Sequence, residues 1–75
     1  MKFKEFVEWC NERACDGYWS MGTAIYCCEL VSNIYKFRRR HREKAWEEIN
    51  EREKIVEDIV NPINQKIAKL VGDMG

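Results

Sequence analysis

The stretch Trp46-Glu47-Glu48-Ile49-Asn50-Glu51-Arg52-Glu53-Lys54-Ile55-Val56-Glu57-Asp58-Ile59-Val60-Asn61-Pro62-Ile63-Asn64-Gln65-Lys66-Ile67-Ala68-Lys69-Leu70 is the most regular part of the chain. Steps of three and four residues from Trp46 land on Ile49, Glu53, Val56, Val60, Ile63, Ile67, Leu70 and then Met74, an apolar repeat of seven residues broken only by Glu53. At 3.6 residues per turn this spacing gathers the apolar side chains on one side of a helix, so the stretch predicts a long helical seam. Asn61-Pro62 interrupts it chemically, because proline lacks an amide donor and disfavours helical geometry at the residue before it. The repeat stays in phase across Pro62. The expectation is therefore a kink near Pro62, or a break with Asn61 as cap and Pro62 at the first helical position.

Upstream, Phe3, Phe6, Val7, Cys10 and Ala14 recur at helical spacing, with Lys4, Glu5, Glu8, Glu12 and Arg13 mostly elsewhere on the wheel. This predicts an amphipathic first helix that stops at Asp16-Gly17, since glycine tolerates the left-handed conformation that ends helices. Ser20 is a suitable N-cap for a second helix. Its residues Met21, Ala24, Ile25, Tyr26, Cys27, Cys28, Leu30, Val31, Ile34, Tyr35 and Phe37 cover most of the circumference, as expected of a central element with others packed around it. No sustained alternation of apolar and polar residues predicts a strand. The sequence thus predicts an all-α fold in a single domain over residues 1–75. It reads as a three-helix bundle made of a hairpin of helices 3–15 and 20–37 and a long third helix over 43–71, kinked or broken near Pro62.

Seventy-five residues bury only about 60% of the unfolded surface, so a second copy or a bound partner is a natural source of added stability. The seam outruns what helices of about 20 and 27 Å can cover. Ile63, Ile67 and Leu70 are accordingly expected to meet a second chain in a homodimer. An apolar fraction of 45% with nine aromatic residues excludes intrinsic disorder. Met1-Lys2-Phe3-Lys4-Glu5-Phe6 has no apolar run, and no apolar stretch of 18 residues occurs. The expectation is a cytoplasmic protein with no membrane partner.

The zero net charge is a cancellation. Residues 36 to 44 hold six basic residues and one acid, whereas residues 45 to 58 hold six acids and two bases. Such a dipolar chain orients partners and sets encounter rates. Arg38, Arg39, Arg40 and Arg42 could meet phosphates, but the sequence pI of about 6.6 and the adjacent acidic segment argue against a duplex-binding face. Glu43, Glu47, Glu51 and Asp58 form a carboxylate stripe on the third helix, able to face a basic protein surface or simply water. Tyr18 and Trp19, in the loop between the first two helices, combine apolar area with a polar tip and are candidate anchors for a partner. A tryptophan in such a loop more often plugs the end of the core, and that is the competing reading for Trp19.

Cys10, Cys15, Cys27 and Cys28 lack the two-residue gap by which two thiolates grip one zinc ion, and no export signal implies an oxidising compartment. They read as reduced structural thiols with no metal and no cofactor. A hairpin turning near Gly17 would bring Cys10 opposite Cys27 or Cys28. Catalysis finds little support: His41 is the one histidine, and no nucleophile elbow, phosphate-cradling loop or paired general acid and base accompanies it. The chain is expected not to be an enzyme.

Phe6-Val7-Glu8-Trp9-Cys10-Asn11-Glu12-Arg13-Ala14-Cys15-Asp16-Gly17, with Val60-Asn61-Pro62-Ile63-Asn64, resembles the small helical proteins of phages and prophages of Gram-positive bacteria. Some similar-sized phage products inhibit host defence systems, CRISPR effectors among them, by binding them. The resemblance implies stoichiometric protein binding, as inhibitor or adaptor, with Tyr18 and Trp19 as anchors and Arg38 to Arg42 or Glu47 and Glu51 for steering. A small nucleic-acid-binding regulator using the basic run is the alternative.

Overall fold

The computed structural model describes residues 1–17 and 19–74, without the side chains of Cys15, Asp16, Asp73 and Met74. Tyr18, named above as an anchor, lies outside the described residues. The chain is all-α, but it forms four α-helices rather than three: α1 (Phe3–Asp16), α2 (Met21–Tyr35), α3 (Arg39–Glu53) and α4 (Asn61–Met74), with a π-helical turn over Val56–Val60. Among the described residues there is no strand.

The first two boundaries follow from the signals in the sequence. Gly17 ends α1 with φ at 70°, the left-handed geometry in which a β-carbon is costly. Ser20 caps α2 by accepting a hydrogen bond at 3.2 Å from the Thr23 amide.

The long third helix does not exist as expected. It begins at Arg39, four residues early, and stops at Lys54, which takes φ 52° and ψ 44°. This is the one positive φ outside glycine among the described residues. The Lys54 amide still donates to the Asn50 carbonyl at 2.7 Å, while the Asn50 side-chain oxygen accepts from the Val56 amide at 3.0 Å, so one asparagine satisfies both sides of the break. The turn at Lys54 also resets the helical phase. Ile55 becomes buried, and Glu53, which occupied the seam in the uninterrupted repeat, is exposed.

Pro62 is accommodated without a further break. The π-helical turn immediately before it is closed by the Asn61 amide donating to the Val56 carbonyl, five residues back. The proline therefore falls in the first turn of α4, where a missing amide costs least.

The core is dominated by aromatic rings. Phe6, Ile34, Trp46, Ile55, Val60 and Cys27 are essentially inaccessible, joined by Phe3, Trp9, Cys10 and Leu30. Phe6 stacks on Trp46 with ring centres 4.4 Å apart, and Phe3 meets Tyr35 edge-on at 5.4 Å. Both buried indoles find acceptors: Trp46 Nε1 donates to the Met1 carbonyl and Trp9 Nε1 to Asn64 Oδ1, each at 2.8 Å. The second of these ties the start of α4 to α1. None of the described α4 side chains is buried, although Ile63 packs against the core. The molecule measures 43 × 20 × 18 Å.

Candidate interaction surfaces

The basic run is divided by the structure. Arg42 and Glu43 turn inward to serve helix ends. Arg42 Nη2 donates to the Tyr35 carbonyl, in the last turn of α2, at 3.2 Å, and its guanidinium lies 4.8 Å over the Tyr35 ring. Glu43 Oε1 accepts from the Phe3 amide in the first turn of α1 at 2.9 Å. A cation thus sits at a helix C-terminus and an anion at a helix N-terminus, the favourable sense for both dipoles. Lys2, the residue before α1, supplies no side-chain cap, so Glu43 supplies it from 40 residues away.

Arg38, Arg39 and Arg40 are exposed, and among the described residues no ion pair involves them. They occupy the N-cap and first turn of α3, which contains no acid. Cations there oppose the helix dipole, at a cost of a few tenths of a kcal/mol each, up to about 1. Beside them Phe37 is 50% exposed. It lines a shallow hollow with His41, Lys44, Ala45, Glu48, Ile49 and Arg52. An exposed aromatic ring flanked by arginines is the composition of a binding hot spot. The sequence reading assigned Phe37 to the apolar surface of a helix; the end of α2 at Tyr35 is what releases it.

The carboxylate stripe is shorter than expected. Glu47 and Glu51 are exposed on α3, but Glu43 is engaged with α1 and the break at Lys54 separates Asp58 from the others.

A second surface lies between α1 and α2, where a groove of about 400 Å³ is walled by Val7, Cys10, Ala14, Trp19, Val31 and Tyr35. Trp19 is not a projecting anchor. It is half-buried and leans on Trp9 with ring centres 5.6 Å apart, while its Nε1 is buried with no hydrogen-bond partner among the described residues. Met21 and Ile25, 80% and 53% exposed, lie at helical spacing before Cys28, so α2 extends the groove's apolar wall.

The hairpin at Gly17 does bring Cys10 against Cys27, at the floor of this groove. Cys10, Cys27 and Cys28 are free thiols. The Cys10 thiol donates to the Cys27 sulfur, which pushes its own pKa far above the ordinary value and draws that of Cys27 below it; burial adds to the rise at Cys10 and partly opposes the fall at Cys27. Cys15 has no described side chain. Among the described residues no group of three or more His, Cys, Asp or Glu side chains is placed to hold a metal ion.

On α4, Ile63 and Ile67 are half-buried, Leu70 is 43% exposed and Val71 is exposed. No helix is long and apolar enough, over the described residues, to cross a membrane. Comparison with protein-family models, with curated proteins and with solved structures finds no match to this chain.

Proposed function

We propose that the chain is a non-enzymatic protein-binding module whose target contact centres on Phe37 and the Arg38-Arg39-Arg40 corner, and which also associates with itself through Ile63, Ile67 and Leu70. The observation that carries the target contact is the placement of three arginines, with no ion pair among the described residues, against the dipole of α3, beside a half-exposed aromatic ring. Local electrostatics disfavours those charges, and a residue that breaks a local rule without a local gain is a candidate for function. The target presents an acidic surface with an apolar recess: arginines steer its approach, and Phe37 holds it. Inhibition or adaptation of a host protein, such as a CRISPR effector, rests on the resemblance of residues 6–17 and 60–64 to phage proteins and on nothing finer.

A nucleic-acid-binding regulator would use the same corner, since guanidiniums suit phosphates. The net charge of zero and the exposed carboxylates Glu47, Glu48 and Glu51 farther along α3 weigh against it. Capture from a host lysate on immobilised chain tests the choice. The expected result is one protein retained in stoichiometric amount, lost with Phe37→Ala, and slowed in association with Arg38, Arg39 and Arg40 all changed to Gln. Oligonucleotide mobility is expected to be unchanged. A mobility shift that the glutamine variant abolishes and Phe37→Ala does not would establish the nucleic-acid reading instead.

A further inference from the structure

We propose that Cys10 and Cys27 are a redox-reversible dithiol, which exchanges with low-molecular-weight disulfides and closes to a disulfide between α1 and α2. The site lies apart from the Phe37 corner and from the open face of α4. α1 and α2 bring the two sulfurs into hydrogen-bond contact at the floor of the groove between them, and both are free thiols. Two cysteines whose backbones hold them apart cannot be bridged, whereas thiols already in contact across two helices need only a small closure. The pair is reachable through the groove: Cys10 lines it and keeps 8% exposure, while Cys27 is fully enclosed. Cys28 provides a contrast within the same helix. It is exposed and turned about 100° from Cys27 around α2, so it meets solvent, but it is Cys27 that Cys10 contacts.

The hydrogen bond also orders the exchange. Loss of one proton from the pair leaves the other between two sulfurs, with the charge favoured on Cys27. Cys10 Sγ attacks one sulfur of the small disulfide and passes its proton to Cys27 along the hydrogen bond. A bond from Cys10 to that sulfur forms as the small disulfide's own bond breaks, and one thiolate departs. Cys27 Sγ then attacks Cys10 Sγ, and the second small sulfur leaves with the Cys27 proton as a thiol. Two electrons have moved: the protein's two thiols are oxidised to one disulfide, and the small disulfide is reduced to one thiolate and one thiol. Excess small thiol runs the same steps backwards. The closed pair crosslinks the chain across the turn between α1 and α2, which restricts the unfolded chain and makes the oxidised protein the more stable form.

The test uses the full chain with Cys15→Ser and Cys28→Ser, so that the pair supplies its only thiols. Equilibrated with reduced and oxidised β-mercaptoethanol, the folded chain is expected to lose two hydrogens in mass and to carry no adduct, and excess thiol should restore it. The ratio of closed to open chain should be at least about tenfold higher in native buffer than in urea, because the fold holds the two sulfurs together. The closed form should also melt at the higher temperature. A ratio no higher folded than unfolded, or a closed form that melts lower, overturns the site. Peptide mapping of the oxidised wild type should find Cys10 joined to Cys27; a bond from Cys10 to Cys28 in its place overturns the pairing. Adding Cys27→Ser should leave a mixed disulfide on Cys10 that cannot close, and a Cys10 that takes no adduct there overturns it as the point of attack. Thermal melts of the reduced chains establish that both fold, and the ratio in the parent variant tests the pair whether or not Cys27→Ser does.

Discussion

The two halves of one sequence repeat have opposite fates. Trp46, Val56 and Val60 are inside or against the core, with Trp46 and Val60 fully enclosed, whereas Ile67 and Leu70, spaced in the same way farther along, are half-buried and exposed. The difference lies in what each half can reach. Trp46 faces Phe6 and Phe3 because α3 returns alongside α1, tethered by Glu43 at the first turn of α1 and by the Met1 carbonyl on the indole. α4 is anchored to the body near its start, through Ile63 and the Trp9 to Asn64 bond, and then runs on without a buried side chain among those described. Periodicity identifies which side of a helix is apolar; it does not say what covers that side.

Truncation at matched positions should expose this contrast most strongly. Trp46→Ala removes an enclosed ring that stacks on Phe6, and chemical denaturation should register a loss of about 3–5 kcal/mol, enough to unfold a marginal domain. Ile67→Ala, measured in dilute solution where the chain is monomeric, should cost less than about 1 kcal/mol, because the site is partly solvated already. Equal losses at the two positions would mean that α4 is as firmly embedded as α3.

The thiol pair should make the stability of the body sensitive to alkaline pH, whereas α4 contains no cysteine. Both thiols have an ordinary pKa of 9.0. The lowered Cys27 loses its proton in the folded chain before the unfolded one, so stability gains as pH rises toward 9.0. The raised Cys10 keeps its proton when folded and loses it when unfolded, so stability falls as pH climbs above 9.0, by at most about 1.4 kcal/mol per pH unit. Denaturation measured from pH 7 to 10.5 should therefore give a maximum near pH 9, which Cys10→Ala removes. A profile unchanged by that substitution would show that the thiols are not coupled.

Smaller effects are expected at the joints between the regions. Glu43→Ala leaves the Phe3 amide without its acceptor, and Asn50→Ala does the same to Val56, each at about 1 kcal/mol in denaturation. Lys54→Gly should be the smallest and opposite in sign. It relieves the left-handed strain but adds freedom to the unfolded chain, for a net gain of about 0.5 kcal/mol. Destabilisation by that glycine would indicate that the lysine side chain contributes a contact.

Those joints also mark how far the sequence was legible. Gly17 and Ser20 carry recognised stop and start chemistry, so the α1–α2 hairpin and the approach of Cys10 to the Cys27-Cys28 pair followed from residue identity, though not which of the two it meets. Lys54 carries none: lysine has no preference for positive φ, and its conformation is held by the Asn50 cap across the break, a contact six residues long that periodicity does not register. The undivided third helix failed there, and with it the continuity of the carboxylate stripe. The basic run was legible as a cluster, but its division into inward Arg42 and outward Arg38 to Arg40 depends on where α1 and α2 end in space. Trp19 was read either as an anchor for a partner or as a plug of the core, and its leaning on Trp9 makes it a groove wall rather than a projecting anchor.

Hydrogen–deuterium exchange as a function of protein concentration tests the central claim, that α4 carries an open apolar face which a second copy covers. At about 1 μM the amides from Ile63 to Leu70 should exchange far faster than those of Phe6 to Cys10, and at about 100 μM the α4 amides should slow. Protection of α4 equal to that of α1 and independent of concentration would contradict the account.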